Sequence, residues 1–192
     1  MRRLVYYVAT TLDGFIAGSD GGDPSTDYLP VTPDLVAFIV EHFPETLPGP
    51  AREAMGVSGP GRHFDTVLEG RASYELGLAA GVTDAYPHLR HLVFSTSMAT
   101  SPDPAVELVG ADALGRVREL KAEDGKDLWL VGGGKLAHAL LPEIDRLIVK
   151  QNRSVIGSGI PMFDGPFQPT LFTPVDEVLL ESGARVLTFD RA

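Results

Sequence analysis

Three consecutive glycines, Gly132, Gly133 and Gly134, run into Lys135 and Leu136 between an apolar stretch and a helical one. Glycine lets a backbone come very close to a ligand, and the helix start that follows offers unpaired N–H groups to a phosphate. The other reading of the same residues is a tight turn that holds nothing. Gly132 to Ala137 also satisfies G-x-G-x-x-A, the dinucleotide fingerprint. However, the next apolar run ends at Lys150, where that fingerprint needs an acid for the ribose, and too little chain remains to finish such a domain. A Walker loop is excluded because Leu136 stands where a magnesium-binding Ser or Thr is required.

Two other sites carry groups suited to phosphate. Gly70 and Arg71, with Ala72 and Ser73, place a guanidinium after an apolar run, and Ser95, Thr96 and Ser97 place three hydroxyls after another. Arg binds phosphate bidentately, but it also serves as a helix-surface ion-pair partner, and the hydroxyls also serve as caps. Two carboxylates are candidates for proton chemistry. Asp13 sits in Leu12-Asp13-Gly14, which is also an ordinary turn pair, and Asp34 opens a helical stripe, where it is also an N-cap. His42, His63, His88, His91 and His138 form no H-E-x-x-H, and His91 has no carboxylate near it in sequence, so surface or helix-end positions are expected for them. Gly56-Val57-Ser58-Gly59-Pro60 fails the serine-hydrolase elbow at its last residue. No metal site is expected.

The elements that must position these groups follow from periodicity. Apolar runs at Leu4–Ala9, Phe64–Leu68, His91–Phe94, Val106–Val109, Asp127–Val131 and Ile144–Lys150 predict strands. Helical stripes fall after Pro33-Asp34, after Gly70, over Ala113–Lys121 and over Lys135–Leu141. Val175–Leu180 and Arg185–Phe189, separated by Ser182-Gly183, predict an antiparallel hairpin. Alternating strands and helices predict an α/β fold, with a mostly parallel central sheet and an antiparallel C-terminal edge. Such sheets bind ligands at the carboxyl ends of their strands, here just after Ala9, Leu68, Phe94 and Val131. Trp129 is expected in the core.

The chain of 192 residues fits one domain, residues 1–192. A net charge of −10 argues against a general grip on nucleic acid or an anionic membrane. The absence of cysteine excludes disulfides, thiolate metal sites and a cysteine nucleophile. The N-terminal apolar run is too short for a signal peptide or a membrane span, which suggests a cytoplasmic protein.

Five segments occur in order: Val8–Ala17 (VATTLDGFIA), Val67–Glu75 (VLEGRASYE), Phe94–Ser97, Leu130–Leu136 (LVGGGKL) and Ser154–Phe163 (SVIGSGIPMF). Together they resemble the dihydrofolate reductase-like superfamily, and most closely the branch holding the reductase domain of riboflavin-biosynthesis enzymes. The resemblance implies a three-layer sandwich and an NADPH-dependent reductase that passes a hydride to a C=N or C=O of a small heterocyclic or ribosylated substrate. A 5-amino-6-(5-phosphoribosylamino)uracil reductase is the nearest expectation. Dihydrofolate reductase activity, a nucleotide-binding protein without turnover and a flavin- or folate-binding module are the alternatives. The resemblance also implies that Ala9 and Ile16 flank the nicotinamide and that Gly70, Arg71, Ala72 and Ser73 hold the diphosphate and adenosine side. Ser95, Thr96 and Ser97 would line the adenosine phosphate, and Gly132, Gly133, Gly134, Lys135 and Leu136 would wrap the diphosphate. It implies a cis peptide between Gly132 and Gly133, Asp13 or Asp34 as the proton-supplying acid, and a homodimer.

Overall fold

The computed structural model describes residues 1–192. Its elements run β1 (Leu4–Thr10), β2 (Phe15–Ala17), α1 (Pro33–His42), α2 (Gly49–Ala54), β3 (Phe64–Gly70), α3 (Arg71–Ala79), β4 (Arg90–Phe94), β5 (Val106–Val109), α4 (Ala113–Ala122), β6 (Asp127–Gly132), α5 (Gly134–Ala139), β7 (Ile144–Gln151), β8 (Ile160–Pro161), β9 (Phe172–Leu179) and β10 (Arg185–Arg191). Eight strands form one sheet in the order β5-β4-β3-β6-β1-β7-β10-β9, and β2 pairs with β8 apart from it. The first six of those eight are parallel to one another, while β10 runs antiparallel to both β7 and β9. The expected mostly parallel sheet with an antiparallel C-terminal edge is what forms. Gly183, with a φ of 81°, turns the β9–β10 hairpin and donates its N–H to Leu180.

Alternation along the strands builds three layers. Leu4, Tyr6 and Val8 of β1 join Leu68, Leu92 and Leu130 under Val117 and Leu120 of α4 and Ala137 of α5. Val5 and Tyr7 face the opposite way, with Val67, Trp129 and Ile148, beneath Phe38 of α1 and the following Phe43. Tyr74 of α3 seals the same side over Val93 and Val106. Trp129 is core, as expected, its indole N–H donating to the Tyr7 carbonyl at 3.2 Å. The helix expected over Lys135–Leu141 is shorter. α5 ends at Ala139, and Pro142 lies in a separate 3-10 turn, Leu141–Glu143, because proline cannot supply the N–H that would continue the helix. No helix is long and apolar enough to cross a membrane.

Candidate functional site

A cavity of about 650 Å³ opens at the carboxyl ends of β5, β4, β3 and β6, within the range of small-molecule and cofactor sites. Its walls include Gly70, Arg71, Ala72 and Ser73 at the start of α3, Ser95, Thr96 and Ser97 after β4, and Gly133, Gly134, Lys135 and Leu136 after β6. Eleven of the expected cofactor contacts are thus brought together from three separate stretches of chain. Ala9, Ile16 and Gly132 are not on its walls. Ile16 packs on the main core, and Ala9 pairs with Lys150 in the β1–β7 ladder.

The two glycine turns abut. A side chain at Gly70 would meet the Gly132 carbonyl at 3.6 Å and the Gly133 nitrogen at 3.8 Å. The peptide between Gly132 and Gly133 is cis. At Gly133 a side chain would point into open space, so the backbone there is bare toward the cavity. Gly134 is packed: a Cβ would lie 2.3 Å from the Pro161 carbonyl, and the Gly134 carbonyl accepts the Asp164 N–H at 3.0 Å. Gly70, the cap residue of α3, has no side chain to cap it, which leaves first-turn N–H groups for a ligand. Ser95 turns its hydroxyl inward, accepting from the N–H groups of Ser97 at 3.2 Å and Met98 at 3.0 Å, while Thr96 and Ser97 are exposed. Arg71 pairs with Glu75 at 3.4 Å across one helical turn. A bare glycine backbone, an uncapped helix start, a guanidinium and exposed hydroxyls suit a dinucleotide's phosphates and sugar, so the residues fit NADPH.

Sequence reasoning missed two walls. Val109, Gly110, Ala111, Asp112 and Ala113 line the cavity from the β5–α4 turn, and Ile160 and Asp164 line it from beyond β7. The first had a signal, since a run of small residues follows a predicted strand there as at the other ends. The second had none, because it reaches the site only by folding back onto Gly134.

Neither candidate acid is on the cavity. Asp13 accepts from the N–H groups of Ile156 at 3.2 Å and Gly157 at 2.7 Å, and Thr11 donates its hydroxyl at 2.6 Å. The Thr11 bond first, and then these N–H groups, hold the Asp13 carboxyl below the usual carboxylate range. Asp34 accepts from the Ser182 N–H at 2.7 Å and from the Thr32 hydroxyl, which ties α1 to the β9–β10 turn and holds its carboxyl well below the usual range. A carboxylate so held is a hydrogen-bond acceptor, and a poor proton donor at neutral pH. Lys150 stands differently. Its ammonium lies 3.9 Å over the Tyr7 ring with no carboxylate partner, and burial lowers it to about 8.

His91 corrects the expectation of a surface histidine. It is 1% exposed, with Nε2 2.7 Å from Glu69 and Nδ1 2.8 Å from Asp84. Tyr74 and Tyr86 set their ring edges against it. Burial alone would drive the proton off, but the bonds and charges of Glu69 and Asp84 outweigh it, so His91 holds its proton above the ordinary imidazole range. The partners come from β3 and from a loop, which no local spacing announces.

No family model matches the chain. It is 30% identical over 167 residues to the uncharacterized protein YwjB of Bacillus subtilis (strain 168), spanning 84% of this chain and 83% of YwjB. It is 27% identical over 175 residues to YyaP of the same organism, spanning 84% of this chain and 80% of that one. Among solved structures, a Shewanella sp. PV-4 protein assigned to riboflavin biosynthesis superposes with a TM-score of 0.71 at 20% identity, over 99% of each chain. The diaminohydroxyphosphoribosylaminopyrimidine deaminase/5-amino-6-(5-phosphoribosylamino)uracil reductase of Thermotoga maritima superposes with a TM-score of 0.68 at 18% identity. That match takes in all of this chain, which spans 57% of the Thermotoga protein's length.

Proposed function

Because this chain belongs to the family of YwjB and has the dihydrofolate reductase-like fold of the riboflavin-pathway reductases, we propose that it is an NADPH-dependent reductase of a small heterocyclic or ribosylated substrate, most like the pyrimidine reductase of riboflavin synthesis. The observation that carries this reading is the cavity in which the bare Gly133 backbone, the start of α3 and the hydroxyls after β4 converge. When bound, NADPH supplies the hydride; the protein supplies placement, exclusion of water and the proton. Arg71 and the Thr96 and Ser97 hydroxyls hold phosphate, and Leu136 covers the diphosphate turn. Ala9 and Ile16, off the cavity wall, would meet the nicotinamide end of a dinucleotide so held. There Asp13, held ionised, orients a substrate N–H or a water as acceptor. Lys150 is the group beside Ala9 whose proton is exchangeable near neutral pH.

Calorimetric titration with NADPH, followed by NADPH oxidation against pyrimidine ribosylamines, pterins and small carbonyls, tests the reading. Tight binding and turnover of one acceptor class is the expected result. Absence of NADPH binding overturns it. A second reading, a nucleotide-binding protein without turnover, is favoured by the engagement of both Asp13 and Asp34 in backbone clamps. It is distinguished by NADPH binding with no oxidation by any acceptor. We also propose a cytoplasmic homodimer formed at the β9 edge. Leu179 is 68% exposed on that strand, and Phe167 and Leu171, 95% and 79% exposed, lie just before it. A monomeric mass by light scattering would refute the dimer.

A further inference from the structure

The cavity is walled by both signs of charge. Arg71 and Lys135 are its cations, Asp112 and Asp164 its carboxylates, so the lining itself offers an anionic ligand no formal excess of positive charge. Arg71 is moreover shared with Glu75. The two acids lie at different ends: Asp164 against the glycine turn at Gly134, Asp112 at the end of β5, the edge strand.

Asp112 is set firmly. It is the one non-glycine residue in the chain with a left-handed backbone, φ 47° and ψ 58°. Its Oδ1 accepts the Gly115 N–H at 2.9 Å and caps α4. Its other oxygen accepts from no donor of the protein, and the residue is exposed on the cavity wall. A fixed carboxylate oxygen with spare capacity accepts a hydrogen bond from a sugar hydroxyl, and repels a phosphate placed where that hydroxyl would be.

We propose, resting on the reading of this cavity as a dinucleotide site, that Asp112 determines cofactor specificity. It binds a hydroxyl of the adenosine ribose and opposes the 2'-phosphate that Arg71 and the hydroxyls after β4 attract. The consequence is a narrow preference for NADPH over NADH. On that reading, a dinucleotide with its diphosphate at the glycine turn of β6 and its reacting ring toward β1 would carry its adenosine past β3 and β4 toward the β5 end, where Asp112 stands on the cavity wall. Discrimination at that end is therefore a balance between one shared guanidinium and one capping carboxylate.

The test uses 5'-AMP and 2',5'-ADP, which differ only in the 2'-phosphate, titrated calorimetrically into the full chain and into Asp112→Asn. Asparagine caps a helix as well as aspartate does and tolerates the left-handed backbone, so the fold is kept. The variant is expected to bind 2',5'-ADP about tenfold more tightly, with 5'-AMP unchanged or weaker, and the gain should shrink in high salt. Equal shifts for both nucleotides, or no shift in either, with an unchanged melting temperature, overturn the role of Asp112 while the cavity reading stands. A wild-type chain that binds neither probe and neither NADPH nor NADH overturns the cavity reading, and this inference with it.

Discussion

The two halves of the central sheet end differently. β5, β4, β3 and β6 finish in glycine, alanine and hydroxyl-bearing turns that leave a cavity of about 650 Å³. β1 and β7 finish in turns laced to each other: Asn152 donates its N–H to Thr10, Leu12 to Ser154, Asp13 clamps Ile156 and Gly157, and Met162 donates to Gly14. The first half leaves the uncapped start of α3 and the bare Gly133 turn facing that cavity; the second uses its turn groups on itself. A ligand at the closed half must therefore be small or must displace a protein contact.

The largest test of that contrast lies behind the open half. His91→Leu leaves Glu69 and Asp84 facing each other in the core, and should cost about 3–5 kcal/mol in urea unfolding. In the wild type the raised His91 adds stability that is complete below the ordinary imidazole pKa and is lost as pH rises through its folded value. The variant should lack that slope. Next, Gly134→Ala drives a methyl group into the Pro161 carbonyl, and should lower stability by about 3 kcal/mol and remove NADPH binding together. Gly133→Ala sharpens the comparison, since its methyl group enters only open space. NADPH affinity should fall about tenfold, or about 1.4 kcal/mol, with the melting temperature unchanged. A Gly133 variant with undiminished affinity would mean that the cradle is not where the ligand lies.

The smallest effect belongs to the closed half. Lys150→Met removes a desolvated cation, and should stabilise the fold by about 1 kcal/mol at neutral pH. Between about 8 and the ordinary lysine value, the unfolded wild type binds a proton that the folded chain does not, so wild-type stability rises with pH through that window and the variant's does not. If Lys150 supplies the proton in turnover, reductase activity should fall sharply in the same variant.

What was legible in the sequence follows from the range of the interactions. The strand, glycine and helix order around Gly70 and Gly132 is local chemistry, and it forms within a residue or two of its expected bounds. The Val109–Ala113 wall was legible by the same rule and needed only that β5 be counted among the strand ends. Asp34 shows the opposite case. Its position ahead of an apolar stripe reads as a helix cap rather than an acid, but Thr32 holds the cap position of α1, and the bond of Asp34 to Ser182, far along the chain, puts the carboxylate on a clamp instead. The partners of His91 are likewise long-range: Glu69 is brought beside it by the β3–β4 ladder, and Asp84 by a loop.

Trp129, the single tryptophan, stands on β6, the strand of the open half that borders β1, 3% exposed, with Tyr86 edge-on at 4.9 Å and Phe64 stacked at 6.3 Å. That placement makes it a built-in optical probe. Native emission should be blue-shifted and shielded from aqueous quenchers, neighbouring tyrosines should feed it excitation energy, and opening of the sheet should register as a red shift from one indole on one strand.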